Sequence, residues 1–115
     1  MSTIIYHNPR CRKSRETLQL LEQNGVNFEV VKYLDEVPSV EELQDLLKML
    51  NMKPIDLVRK NEQIWKENYK GKTLDEAEIL EAMHKNPKLI ERPIVVHHKK
   101  AALGRPPENI LDLIA

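Results

Sequence analysis

One cysteine, one tryptophan, one phenylalanine and three glycines are all that 115 residues contain of these types. The single thiol excludes an intramolecular disulfide and a cysteine-rich zinc site, leaving either a small buried side chain or a reactive group. No apolar run approaches the roughly 20 residues of a membrane-spanning helix, and no basic stretch followed by an apolar one marks a secretory signal. A soluble, cytoplasmic protein with no membrane partner is expected. Net charge is missing as well: 18 Lys and Arg balance 18 Asp and Glu, which removes the overall basic bias of a protein that coats nucleic acid. Internal repeats and low-complexity segments are absent, and the longest candidate linker, residues 34–38, is too short to separate domains. A single domain is expected, long enough to hide roughly two-thirds of the surface its unfolded chain exposes.

The balanced charge is unevenly spread. From His7 to Arg15 there are four bases (Arg10, Arg12, Lys13, Arg15) and no acid, and from His84 to Arg105 six bases stand against Glu91 alone. Between Asp35 and Glu81 lie twelve acids and seven bases, so a middle of net charge −5 separates two basic segments. Should those segments meet in space, they would make an anion pocket on an otherwise neutral protein; the alternative is a set of solvated surface charges.

Periodicity predicts an α/β order. Thr3–Tyr6 is a short β-branched and aromatic run ending at the turn signal Asn8-Pro9, and reads as a strand. A helix beginning near Cys11 follows, with Leu18, Leu20 and Leu21 on its apolar stripe and Asn24-Gly25 as its stop. Phe28–Leu34 reads as a second strand, completing a βαβ unit. Two capping boxes, Ser39-Val40-Glu41-Glu42 and Thr73-Leu74-Asp75-Glu76, then open amphipathic helices carrying Leu43, Leu46, Leu47 and Leu50, and Ile79, Leu80 and Met83. Pro54 suits the first turn of a short helix over residues 55–59. Pro93–Val96, a polar turn over residues 97–100 and Ala101–Gly104 read as a hairpin, and Pro106-Pro107-Glu108 opens a last helix with Ile110, Leu111 and Ile114. The whole is βαβ, a helical insert over about 39–86, then ββα.

Cys11 falls where strand hands over to helix, and there free backbone N–H groups and the helix dipole favour an anion. Arg10, Arg12, Lys13, Arg15 and His7 act in the same direction. A downward shift of about two units in thiol pKa, equivalent to about 2.7 kcal/mol, would make it mostly thiolate at neutral pH. Arginine on both sides argues against a structural core cysteine, which would carry unpaired guanidinium groups inward. Ser14 makes the motif Cys-x-x-Ser, so a second sulfur must come from another molecule. Ser14 could equally satisfy a first-turn N–H, and His7 could simply hydrogen-bond backbone. His97 and His98 would point to opposite sides of a strand, which disfavours a metal site.

Four segments in order, Tyr6-His7-Asn8-Pro9-Arg10-Cys11-x-x-Ser14-Arg15-x-Thr17-Leu18, Leu57-Val58-Arg59-Lys60-Asn61, Arg92-Pro93-Ile94-Val95-Val96 and Gly104-Arg105-Pro106-x-Glu108, resemble the glutaredoxin-linked arsenate reductase family across nearly the whole chain. The resemblance implies a thioredoxin-like fold with a helical insertion and an oxidoreductase acting in arsenic detoxification. It implies Cys11 as nucleophile, Arg59, Arg92 and Arg105 as the oxyanion clamp, His7 as an aid to thiol ionisation, and supporting places for Ser14 and Arg15. Pro93 resembles the cis-proline that opens the third strand of such folds and faces the cysteine. Arsenate carries about two negative charges near neutral pH, and planar guanidinium groups can grip its oxygens in pairs while screening an incoming thiolate.

The chemistry implied is reduction of arsenate to arsenite by a monomer with glutathione as co-substrate and glutaredoxin as the partner that regenerates Cys11, without metal or bound cofactor. Arg10 and Arg12 depart from the small residues expected beside the cysteine, which leaves room for another thiol-linked substrate. Spx regulators share the fold and bind RNA polymerase without catalysis. They usually sense oxidant through Cys-x-x-Cys, which Ser14 does not allow here.

Overall fold

The structure, a computed structural model, describes residues 3–114. Of these, 3–36 and 92–114 form one compact unit and 37–91 form another. In the first unit, β1 (Thr3–Tyr6) alternates buried and half-buried side chains, the period of a strand with one face in a core. It runs parallel to β2 (Glu29–Val31) and antiparallel to β3 (Ile94–His97), which in turn pairs antiparallel with β4 (Lys100–Leu103), giving the order β2-β1-β3-β4. Between β1 and β2 lies α1 (Arg12–Gln23). Ile5 and its strand partner Val95 are fully buried with Leu21 of α1 and Ile110, and Leu18, Val26, Phe28 and Ala102 pack around them. This is the thioredoxin-like α/β arrangement that the sequence predicts.

Several boundaries differ from expectation for identifiable reasons. α1 stops where expected, because Gly25 adopts a left-handed φ of 68° and the Gly25 and Val26 N–H groups bond back to Glu22 O and Leu21 O at 3.1 and 3.2 Å. β2 is shorter than Phe28–Leu34, since only three residues find ladder partners on β1. The hairpin turn is tighter than residues 97–100: His98 and Lys99 both have positive φ, so a two-residue turn matches the right-handed twist of the strands. The final helix begins as a 3₁₀ turn, Pro107–Ile110, before α5 (Leu111–Ile114). Cis bonds precede Pro93, in keeping with the resemblance, and also Pro106, which nothing in the sequence marked.

In the second unit, α2 (Val40–Leu50) carries the expected box, with Glu42 N–H on Ser39 Oγ and Ser39 N–H on the Glu42 carboxylate, both at 3.1 Å. Asn51, left-handed at φ 57°, ends it. Pro54–Leu57 is a 3₁₀ turn rather than a helix over 55–59. A short α3 (Gln63–Asn68), unmarked by capping residues, places Trp65 in the core, stacked on Tyr69 at 5.3 Å. The last helix, α4 (Glu76–Lys85), is capped by Asp75 with Glu78 and not by Thr73 with Glu76. Leu43, Leu46, Leu57, Leu80, Met83 and Leu89 are buried here. An antiparallel bridge between Val58 and Ile90 is flanked by Arg59 N–H on Leu89 O at 2.7 Å and Glu91 N–H on Leu57 O at 2.9 Å. Among the described residues no helix is long and apolar enough to cross a membrane.

Candidate active site around Cys11

The loop after β1 is built by its own polar groups. Asn8 Oδ1 accepts the Arg10 N–H and Asn8 O accepts the Cys11 N–H, each at 3.0 Å, closing the Asn8-Pro9-Arg10 turn. Arg15 Nη1 reaches back to Pro9 O at 2.9 Å and ties the turn to α1. Cys11 is thereby the extended residue at the helix start, with φ −93°, ψ 124° and only 8% of its surface exposed. Its sulfur makes no capping hydrogen bond as a thiol, but the ionised form is another matter. Burial raises the thiol pKa. That effect is outweighed by the Ser14 backbone N–H, the charge of Arg92, the Lys13 backbone N–H and a hydrogen bond from the Arg92 side chain, so the pKa lies below its ordinary value.

His7 and Ser14 are both buried and joined, Nδ1 to Oγ, at 2.6 Å. Ser14 Oγ also accepts the Asn8 N–H at 3.0 Å. The hydroxyl has one proton and two acceptor sites, so with the Asn8 N–H on one of them it can donate to His7 Nδ1, the arrangement that puts the proton of a neutral imidazole on Nε2. Burial, then the charges of Lys32 and Arg15, hold the His7 pKa below its ordinary value, which favours that neutral form. Ser14 therefore serves the loop and the histidine, and not an orphan N–H of the helix as one reading of the sequence allowed.

The third and fourth strands bring the arginines. Arg92 directly precedes cis-Pro93 at the start of β3, and its guanidinium faces Cys11. Arg105 precedes cis-Pro106 and extends Nη1 to Arg92 O at 3.5 Å. Between them sits Gly104, whose N–H bonds to Pro93 O at 2.9 Å. A Cβ there would stand 2.8 Å from Pro93 Cγ and collide with Thr17 Oγ1, so only glycine permits this approach. Thr17, fully buried on α1, was given no role by sequence reasoning, although it stands in the motif beside Cys11.

Cys11, His7, Ser14, Arg15, Arg92, Pro93 and Arg105 thus all belong to the first unit. Arg59 belongs to the second, where Nη1 pairs with Glu62 at 3.0 Å, Nε lies 3.7 Å from Glu91, and Lys88 O is 3.5 Å from Nη1. Arg10 and Arg12 are exposed. A cavity of about 800 Å³ in the second unit, lined among others by Leu47, Lys48, Lys53, Asp56 and Leu80, includes none of these residues.

A buried-edge cysteine whose ionised form is held by two helix amides and an arginine can attack an electrophile that is itself an anion, since the guanidinium offsets the repulsion. The comparisons with known proteins point the same way. The chain is 43% identical to an arsenate reductase of Haemophilus influenzae, over 99% of this chain and the full length of that protein. It is 52% identical to YfgD, an uncharacterised protein of Escherichia coli K12, over 96% of this chain and 94% of the other. An arsenate reductase structure from Vibrio cholerae superposes with a TM-score of 0.93 at 48% identity, covering 97% of each chain. Residues 6–113 match the ArsC family, and the chain belongs to that family.

Proposed function

We propose that this protein reduces arsenate, or a closely similar oxyanion, to the trivalent acid, with Cys11 as nucleophile. The observation that carries the reading is the Cys11 sulfur set against the Arg92 guanidinium and two helix amides. The full-length similarity to the Haemophilus enzyme supports the choice of substrate. The Cys11 thiolate forms a sulfur–arsenic bond while one arsenate oxygen takes up protons and leaves as water. Glutathione, as co-substrate, attacks the adduct; a disulfide forms between it and Cys11, the sulfur–arsenic bond breaks, and the electron pair stays on arsenic, which departs as arsenite. Two sulfurs are oxidised and arsenic gains two electrons. Because Ser14 stands where a resolving thiol would be, Cys11 returns to its free form by exchange with an external dithiol, the role assigned to glutaredoxin.

Arg92 and Arg105 hold the oxyanion from the first unit, each offering a planar guanidinium fork to its oxygens. The test is NADPH consumption coupled through glutaredoxin and glutathione with arsenate as substrate. Cys11→Ser should abolish turnover. Arg92→Ala should lower it by about 100-fold or more, the scale of losing one pre-placed oxyanion donor. Wild-type protein that consumes no NADPH with arsenate, or a Cys11→Ser variant that still does, overturns the reading.

A further inference from the structure

Thr17 is the one fully buried polar side chain of α1 other than Ser14, and its hydroxyl donates to Lys13 O at 2.8 Å. Threonines in helices often bond to the carbonyl one turn back, and such a bond usually has only local consequences. Here the accepting carbonyl has a particular partner. Lys13 C=O and Ser14 N–H belong to a single peptide group, and the Ser14 N–H is the first of the groups that stabilise the Cys11 thiolate. A hydrogen bond received at the oxygen of an amide draws electron density from its nitrogen and makes the N–H a stronger donor.

The threonine side chain is also packed against the loop that carries Gly104. Gly104 O lies 3.4 Å from Thr17 Oγ1, and the Gly104 Cα approaches so closely that a side chain there would strike both the threonine hydroxyl and its methyl. Gly104 in turn holds Pro93 O, next to Arg92. The hydroxyl has one proton and two acceptors within reach, and the 2.8 Å bond to Lys13 O is shorter and stronger than the 3.4 Å contact to Gly104 O.

We propose that Thr17 is a positioning residue for Cys11: its hydroxyl polarises the Lys13–Ser14 peptide, and that peptide's N–H steadies the anionic sulfur. The proposal deepens the reading of Cys11 as a thiolate nucleophile and rests on it, but it can be tested on the thiol alone. Thr17→Val keeps the shape and loses the hydroxyl; Thr17→Ser keeps the hydroxyl and loses the methyl.

Thiolate absorbance near 240 nm, followed against pH in the full chain, reports the midpoint directly. Thr17→Val should raise it by about 0.2 to 0.5 of a pH unit, the scale of weakening one charge-assisted hydrogen bond by roughly 10–30%. Thr17→Ser should titrate like the wild type. In the arsenate assay the acid limb of the kcat/KM profile should move by the same amount in Thr17→Val while the high-pH plateau is retained. Thr17→Ala, which adds no branched bulk, carries the same expectation should the valine variant fold poorly. Hydroxyl-free variants with the wild-type midpoint, or a serine variant shifted as far as the valine one, overturn the proposal. Wild-type protein that ignores arsenate would sink the enzymatic reading and leave this measurement intact.

Discussion

At the scale of single residues, the chemistry turns on how the polypeptide treats one ionisable sulfur. A thiol pKa lower in the folded than in the unfolded chain means that the unfolded state binds more protons between the two values, so stability increases with pH across that window. The gain is complete above the unfolded value, about that of an ordinary thiol at 9.0, and is lost as pH falls through the folded one. Wild-type protein should therefore gain thermal stability relative to Cys11→Ser as pH rises from below the folded midpoint towards 9, as followed by melting temperature. A flat difference across that range would contradict the lowered pKa. The sequence made this residue legible, because a lone cysteine between two arginines at a strand-to-helix junction has few structural explanations. Local charge alone pointed to Arg10 and Arg12, which remain at the surface, whereas Arg92, 81 positions away and reached only through the family resemblance, supplies the charge. Neighbours in sequence are cheap to read, and neighbours in space are not.

At the scale of elements, stop and start signals decided how far the chain could be read. α2 began where its Ser39 box predicted, whereas at α4 the box read from the sequence, Thr73 with Glu76, gives way to a second, Asp75 with Glu78. The second prevails because Leu74 then precedes the cap and Ile79 falls at the fourth helical position, the spacing of a hydrophobic staple. Both side chains line one cavity. Asp75→Ala should cost about 1 kcal/mol of stability in chemical denaturation, as loss of a capping carboxylate does, and Thr73→Ala should cost close to nothing. Equal losses would return the box to Thr73. α3 escaped the sequence reading because six residues with no cap and one buried tryptophan offer too little periodicity to detect. The two cis-prolines divide similarly: the first was implied by resemblance alone, and the second by nothing, since a peptide bond's isomer leaves no trace in residue order.

At the scale of the whole molecule, zero net charge means that attraction of an oxyanion must come from local fields. Fields of that kind reach about 10 Å at 0.1 M salt. On the proposed function, the KM for arsenate should accordingly rise as ionic strength is raised with an inert salt, while kcat changes far less, because screening weakens the approach of an anion more than direct contacts once it is bound. A KM indifferent to salt would argue against a cationic pocket. The α/β order, the helical middle and the βαβ and ββ halves were all visible in hydrophobic period and turn chemistry. The helical insert read over about 39–86 falls within the second compact unit, 37–91, and only its edges were not visible, since residues 34–38 carry no linker composition and the edges are set by which residues pack together.

Ser14 has a consequence for engineering. The position at which a dithiol protein would carry its second sulfur is here filled by the hydroxyl that anchors a buried histidine and caps the preceding loop. Converting the chain into a self-closing redox sensor would thus demand more than exchanging one oxygen for sulfur. A larger, weakly hydrogen-bonding atom at that spot would strip His7 of its partner and loosen the very turn that presents the remaining thiol.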